Sequence, residues 1–173
     1  MTTTTKLHPG LDFAPVTFKR LDGPDFTFGG TGKWQALFVF RGQHCPICKR
    51  YLATLETKRS AFTELGVEIA AVSADSAEQT RIVAEAAQPG FPLLYGMSEQ
   101  AMKALGLYIS DPRSEKETDH PFPEPGLFVL RPDGCLQIVD VANAPFVRPE
   151  LDTLLGGLRF VIANDYPVRG TRR

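Results

Sequence analysis

The chain has 173 residues, a formal net charge of −1, 43% hydrophobic residues and 23% charged residues. These proportions are those of an ordinary globular domain and exclude disordered, collagen-like and coiled-coil chains. The near-neutral charge calls for no nucleic-acid partner, and the one basic cluster, Arg169, Arg172 and Arg173, reads as a solvated tail.

At its start, Met1, four threonines and Lys6 lack the apolar segment of a secretory signal, and no apolar run approaches a membrane span. A cytoplasmic protein with no membrane partner is therefore expected. Residues 1–10 and 168–173 are expected to be flexible ends of a single domain spanning 1–173. Residues 16–21 and 26–28 alternate apolar with polar around Asp22-Gly23, the pattern of a hairpin. Gly29, Gly30, Thr31, Gly32 and Lys33 form a loop. Its spacing is not that of a phosphate loop, and Trp34 stands where the metal-binding hydroxyl belongs. Residues 36–40 are continuously apolar, as in a central strand buried on both faces.

A helix is predicted over 45–65, ended by Gly66, followed by a buried strand over 67–72. Asp75 and Ser76 are cap candidates for a helix to about residue 87, with Ser76 and Gln79 at capping-box spacing. A short strand over 92–95 and a short helix capped by Ser98 come next. Residues 108–125 are polar and proline-rich and read as a long, solvated loop able to shield a site. A second hairpin, 127–130 with 136–141, turns at Pro132-Asp133-Gly134, and a last helix is predicted to start with Pro149 at its first position. The early crossovers imply parallel strands flanked by helices, an α/β sandwich.

The chemistry centres on Cys45-Pro46-Ile47-Cys48. Three cysteines are too few for a disulfide scaffold, and in a reducing compartment a C-x-x-C pair reads as reactive or metal-binding. A zinc site would need two more ligands, and Cys135, His8, His44 and His120 form no second pair. With Cys45 at the N-terminus of a helix and Pro46 where a missing N–H costs nothing, bare amides and the helix dipole favour thiolate. Cys48, one turn on, shares a face with Leu52, Leu55 and Phe62. Cys48 is thus expected to face the core and Cys45 to sit at an exposed tip, attacking while Cys48 resolves.

The stretch 39–52, Val-Phe-Arg-Gly-Gln-His-Cys-Pro-Ile-Cys-Lys-Arg-Tyr-Leu, resembles the strand, arginine-glycine and dithiol segment of the alkyl hydroperoxide reductase/thiol-specific antioxidant (AhpC/TSA) family. Residues 125–134, Pro-Gly-Leu-Phe-Val-Leu-Arg-Pro-Asp-Gly, and Phe146-Val-Arg148 also fit that peroxiredoxin-like branch of the thioredoxin superfamily. The resemblance implies a thioredoxin-like three-layer sandwich with a central mixed sheet, and peroxide reduction without a cofactor. It also places Pro125 where such folds carry a cis-proline facing the dithiol. The family's threonine is missing, since Gly42 lies three residues before Cys45 and Cys45 three before Cys48. If the family's peroxidatic position maps to Cys48, Cys45 replaces that threonine and the two roles invert.

Arg41 and Arg148 are candidates to orient the peroxide, and His44 to stabilise the thiolate. Cys135 reads as a small, half-buried residue. The expected function is hydroperoxide reduction through the dithiol, with an external thiol reductant such as a thioredoxin or glutathione system; a homodimer is a candidate assembly. Alternatives are a protein disulfide oxidoreductase and a non-catalytic redox-sensing or metal-binding module.

Overall fold

The computed structural model describes residues 7–172. Its first two strands, β1 (Val16–Arg20) and β2 (Phe26–Phe28), form the expected hairpin, with Val16 opposite Phe28. There follow β3 (Trp34–Val39), α1 (Pro46–Glu64), β4 (Val67–Val72), α2 (Ala77–Ala87), β5 (Leu93–Tyr95) and α3 (Glu99–Ala104). The chain ends with β6 (Ile109–Ser110), β7 (Phe122–Pro123), β8 (Gly126–Leu130), β9 (Leu136–Val141) and α4 (Leu151–Ala163).

Seven strands make one mixed sheet in the order β2-β1-β5-β4-β3-β8-β9. Strands β3, β4 and β5 run parallel, while β8 lies antiparallel to β3 and β1 antiparallel to β5. Alternation along the central strands divides their side chains between two cores. Ala36, Phe38, Leu127 and Val129 join α1, α2 and α4 on one face. Leu37, Val39, Phe128 and Leu130 join α3 and the phenylalanines of the first hairpin on the other. This is the sandwich the apolar runs imply.

Local chemistry sets the helix ends. Ser76 Oγ accepts from Gln79 N–H while the Gln79 side chain accepts from Ser76 N–H, completing the capping box. Gly66, at φ +72, supplies the left-handed residue after α1. The last helix differs from expectation. Its N-cap is Glu150, whose carboxylate accepts from Asp152 and Thr153 N–H, so Pro149 stands before the cap. A side-chain acceptor decides the start because it satisfies amides that proline's ring leaves bare.

The 108–125 segment also differs from a solvated loop. Strands β6 and β7 pair within it, and Thr118, Phe122 and Glu124 are buried. Of the expected flexible ends, residues 1–6 and 173 lie outside the described residues. Gly10 N–H donates to Leu136 O at 2.8 Å, tying the segment before β1 to the start of β9. Among the described residues, no helix is long and apolar enough to cross a membrane.

Candidate active site

Strand β3 delivers the chain to a turn with little freedom. Gly42 has φ +143, and a Cβ there would lie 2.5 Å from Asp75 Oδ1, so no larger residue fits. Asp75 Oδ2 accepts from Gln43 N–H at 2.7 Å, and Cys45 N–H donates to Gly42 O at 3.1 Å. The turn ends at Cys45, the N-cap of α1, with extended backbone and Pro46 behind it. Cys45 Sγ accepts from Cys48 N–H at 3.2 Å, the part a serine oxygen plays at an ordinary cap.

Cys45 and Cys48 are joined as a disulfide, their Cα atoms 5.3 Å apart. Cys48 faces the core beside Leu52, Leu55 and Phe62, as its spacing implies. Cys45 does not sit at an exposed tip: it is 2% exposed and Cys48 0%. Arg148, from the segment before α4, reaches Cys48, and Phe122, from the 108–125 region, packs on His44 next to Cys45.

Arg148 reaches the dithiol from the far end of the chain. Its Nη2 donates to Cys48 Sγ at 3.0 Å, its Nη1 donates to Pro145 O, and its guanidinium lies over the Tyr51 ring at 5.2 Å. Tyr51 Oη in turn donates to Pro149 O at 2.8 Å. The aromatic residue one turn after Cys48 therefore anchors the segment that carries the arginine. Burial lowers the Arg148 pKa from 12.5 to about 10, which leaves it charged at neutral pH. Burial also pushes the Tyr51 hydroxyl up, so it remains a neutral donor.

Arg41 and His44 stand on another side. Arg41 pairs with Glu124 (Nε to Oε2, 3.3 Å) and more distantly with Glu117 (4.0 Å), and its guanidinium caps the Phe122 ring at 4.7 Å. His44 packs on the same ring at 4.5 Å, and both its nitrogens are buried without a hydrogen-bond partner. Burial, helped by the Arg41 charge, lowers its pKa to about 4, so the imidazole is neutral at pH 7. It lines an open cleft of ≈ 560 Å³ with Gln43, Arg113, Ser114, Lys116 and Glu117. Pro125 precedes β8 and its carbonyl accepts from Ala142 N–H. Its peptide bond is trans, against the cis geometry the resemblance implies, for there is no cis bond among the described residues.

Sequence reasoning brings Cys45, Cys48 and Arg148 to one place but misses the acids that shape it. Asp75 is 0% exposed and serves the turn before Cys45 rather than capping α2. Its Oδ1 lies 3.4 Å from His120 Nε2, and His120 Nδ1 meets Asp119 at 2.7 Å. Burial raises the Asp75 pKa, partly offset by Gln43 N–H and His120. Glu124 also accepts from Ser110 Oγ at 2.6 Å. The detectable signal for Asp75 was redundancy: two adjacent cap residues compete for one cap.

In the reduced protein the same donors oppose developing negative charge. Cys45 would be met by a helix N-terminus and Cys48 by a guanidinium, each favouring thiolate. A thiolate and a second sulfur within bonding reach can attack an electrophilic oxygen or sulfur and then close a disulfide.

Comparison with solved structures gives the same architecture. A cysteine-to-serine mutant of the peroxiredoxin 6 of Arenicola marina superposes with a TM-score of 0.77 at 17% identity, covering 91% of this chain and 76% of that one. AhpC of Mycobacterium tuberculosis gives 0.73 at 18%, with 96% and 99% covered. A peroxiredoxin-like protein from Aquifex aeolicus gives 0.73 at 14%, with 90% and 88% covered. No curated protein matches in sequence. The model of the AhpC/TSA family matches residues 12–139, a span that contains the hairpin, the dithiol and the central strands. With that match over most of its length, the chain belongs to the AhpC/TSA family and is a thiol-dependent oxidoreductase.

Proposed function

We propose that the protein reduces hydroperoxides through Cys45 and Cys48, within a single thioredoxin-like domain. A thiolate sulfur attacks the terminal oxygen of the hydroperoxide; an S–O bond forms, the O–O bond breaks, and the departing alkoxide takes a proton. The second sulfur attacks the sulfenic acid, the disulfide closes and water leaves. An external thiol, from a thioredoxin or glutathione system, returns the disulfide to the dithiol. The observation that carries this reading is a closed Cys45–Cys48 pair in which each sulfur accepts a hydrogen bond.

The N-cap position supports Cys45 as the attacking sulfur and Cys48 as the resolving one. The Arg148 contact favours the inverse, because a guanidinium stabilises the Cys48 thiolate more strongly than one neutral amide stabilises Cys45. Arg41, His44 and Pro125 act in this proposal around the approach to the dithiol.

Stopped-flow oxidation of the reduced protein by hydrogen peroxide is the test. The rate should exceed that of free cysteine by orders of magnitude, and equality with free cysteine sinks the reading. If Cys45 attacks, Cys48→Ser accumulates sulfenate and Cys45→Ser does not; the opposite pattern inverts the roles. The C-x-x-C without the family's threonine favours disulfide exchange as a second reading. Insulin reduction, with no rapid peroxide reaction, would establish it.

A further inference from the structure

We propose that Asp75 is a positioning residue for the dithiol, holding the turn that presents Cys45 to the helix N-terminus. The inference rests on the assignment of Cys45 and Cys48 as the reactive pair. It concerns a residue outside the C-x-x-C motif and 30 positions further along the chain.

The connection runs through three hydrogen bonds in sequence. Asp75 Oδ2 accepts from Gln43 N–H at 2.7 Å. The neighbouring residue, Gly42, lends its carbonyl to Cys45 N–H at 3.1 Å. Cys45 Sγ then accepts from Cys48 N–H at 3.2 Å. Displacing the 42–43 turn therefore moves Cys45 relative to the amide that opposes its charge.

Steric fit adds an independent argument. The other carboxylate oxygen fills the space where a Cβ at residue 42 would lie, so glycine and acid are complementary parts of one joint. Asp75 is 0% exposed, which means the chain bears the cost of desolvating a carboxylate at this place. Ser76 already caps α2 through its own hydroxyl, so helix capping does not account for the acid. His120 Nε2, 3.4 Å from Oδ1, links the joint to the 108–125 region, whose Phe122 packs on His44.

Three variants of the full chain test the assignment: Asp75→Asn, Asp75→Ala and Asp75→Ser. Asparagine keeps an acceptor for Gln43 N–H. Alanine removes it, and serine keeps the site polar but is too short to reach. Two readouts are taken: the rate of oxidation of the reduced protein by hydrogen peroxide, and the thiol–disulfide equilibrium of Cys45–Cys48 in a glutathione buffer. Circular dichroism and thermal unfolding report the fold.

Asp75→Ala and Asp75→Ser should lose about tenfold or more in rate and shift the redox equilibrium constant at least about threefold, while Asp75→Asn stays within about threefold of wild type in both. The serine variant preserves the comparison if alanine fails to fold. A folded alanine or serine variant with wild-type rate and equilibrium overturns the proposal, as does asparagine impaired as far as they are. A wild-type protein that itself reacts no faster than free cysteine instead removes the peroxidase reading. The redox equilibrium still reports on Asp75 in that case.

Discussion

At the dithiol, the Arg148 guanidinium donates to the buried sulfur of Cys48. A hydrogen bond to a charged group is worth roughly 1.5–3 kcal/mol, which is about 10–100-fold in an equilibrium or rate. Arg148→Gln should accordingly raise the Cys48 thiol pKa, as followed by thiolate absorbance, and where Cys48 is the attacking sulfur it should also slow peroxide oxidation by about that factor in stopped flow. His44 makes a different prediction. Its pKa is depressed to about 4 in the folded state, whereas the unfolded chain takes the proton near its usual value of about 6.5. The stability this contributes is present above about pH 6.5 and is lost as pH falls toward 4. His44→Gln should lose part of the wild-type dependence of denaturant midpoint between about pH 7 and 4.5; an unchanged slope would contradict the assignment. At this scale the cysteines and Arg148 were legible because spacing and a short motif carry them. Asp75 was not, since its partners Gln43 and His120 are 32 and 45 positions away in the chain.

Elements were most legible where local chemistry decides them. Cys45-Pro46, Ser76 with Gln79, and Gly66 mark helix ends that the structure reproduces. Removing the Ser76 acceptor by Ser76→Ala should cost about 1 kcal/mol, a fall of about 2–4 °C in Tm for a chain of this size, with little change in peroxide rate. The 108–125 region departs from the expected loop because strands of two residues, such as β6 and β7, have no periodicity to detect. Its polar composition suggested solvent, yet Glu124 is drawn inside by Arg41, a residue from the turn after β3. The start of α4 shifted for a comparable reason: Glu150 offers two carboxylate oxygens to amides that Pro149 cannot satisfy.

For the molecule as a whole, the fold brings together side chains 100 positions apart in the chain, Cys48 on α1 and Arg148 before α4. The sheet class was legible from apolar runs and crossovers, while the burial of Cys45 was not. The 108–125 region also carries buried charge, in the Arg41–Glu124 pair. Glu124→Ala would leave the mostly buried Arg41 with only the more distant Glu117. The loss should be about 2–3 kcal/mol, somewhat below the range of about 3–5 for a fully buried pair, read as a lowered denaturant midpoint. Sealed sulfurs also impose a sieve on whatever visits them. Neither cysteine presents appreciable surface, so a bulky maleimide or a macromolecular thiol must wait for the cover to lift, while a molecule the size of hydrogen peroxide needs a far smaller breach. Alkylation of the reduced protein should then slow steeply with reagent girth, and for the largest reagents reach a ceiling independent of their concentration, set by the rate of that local opening.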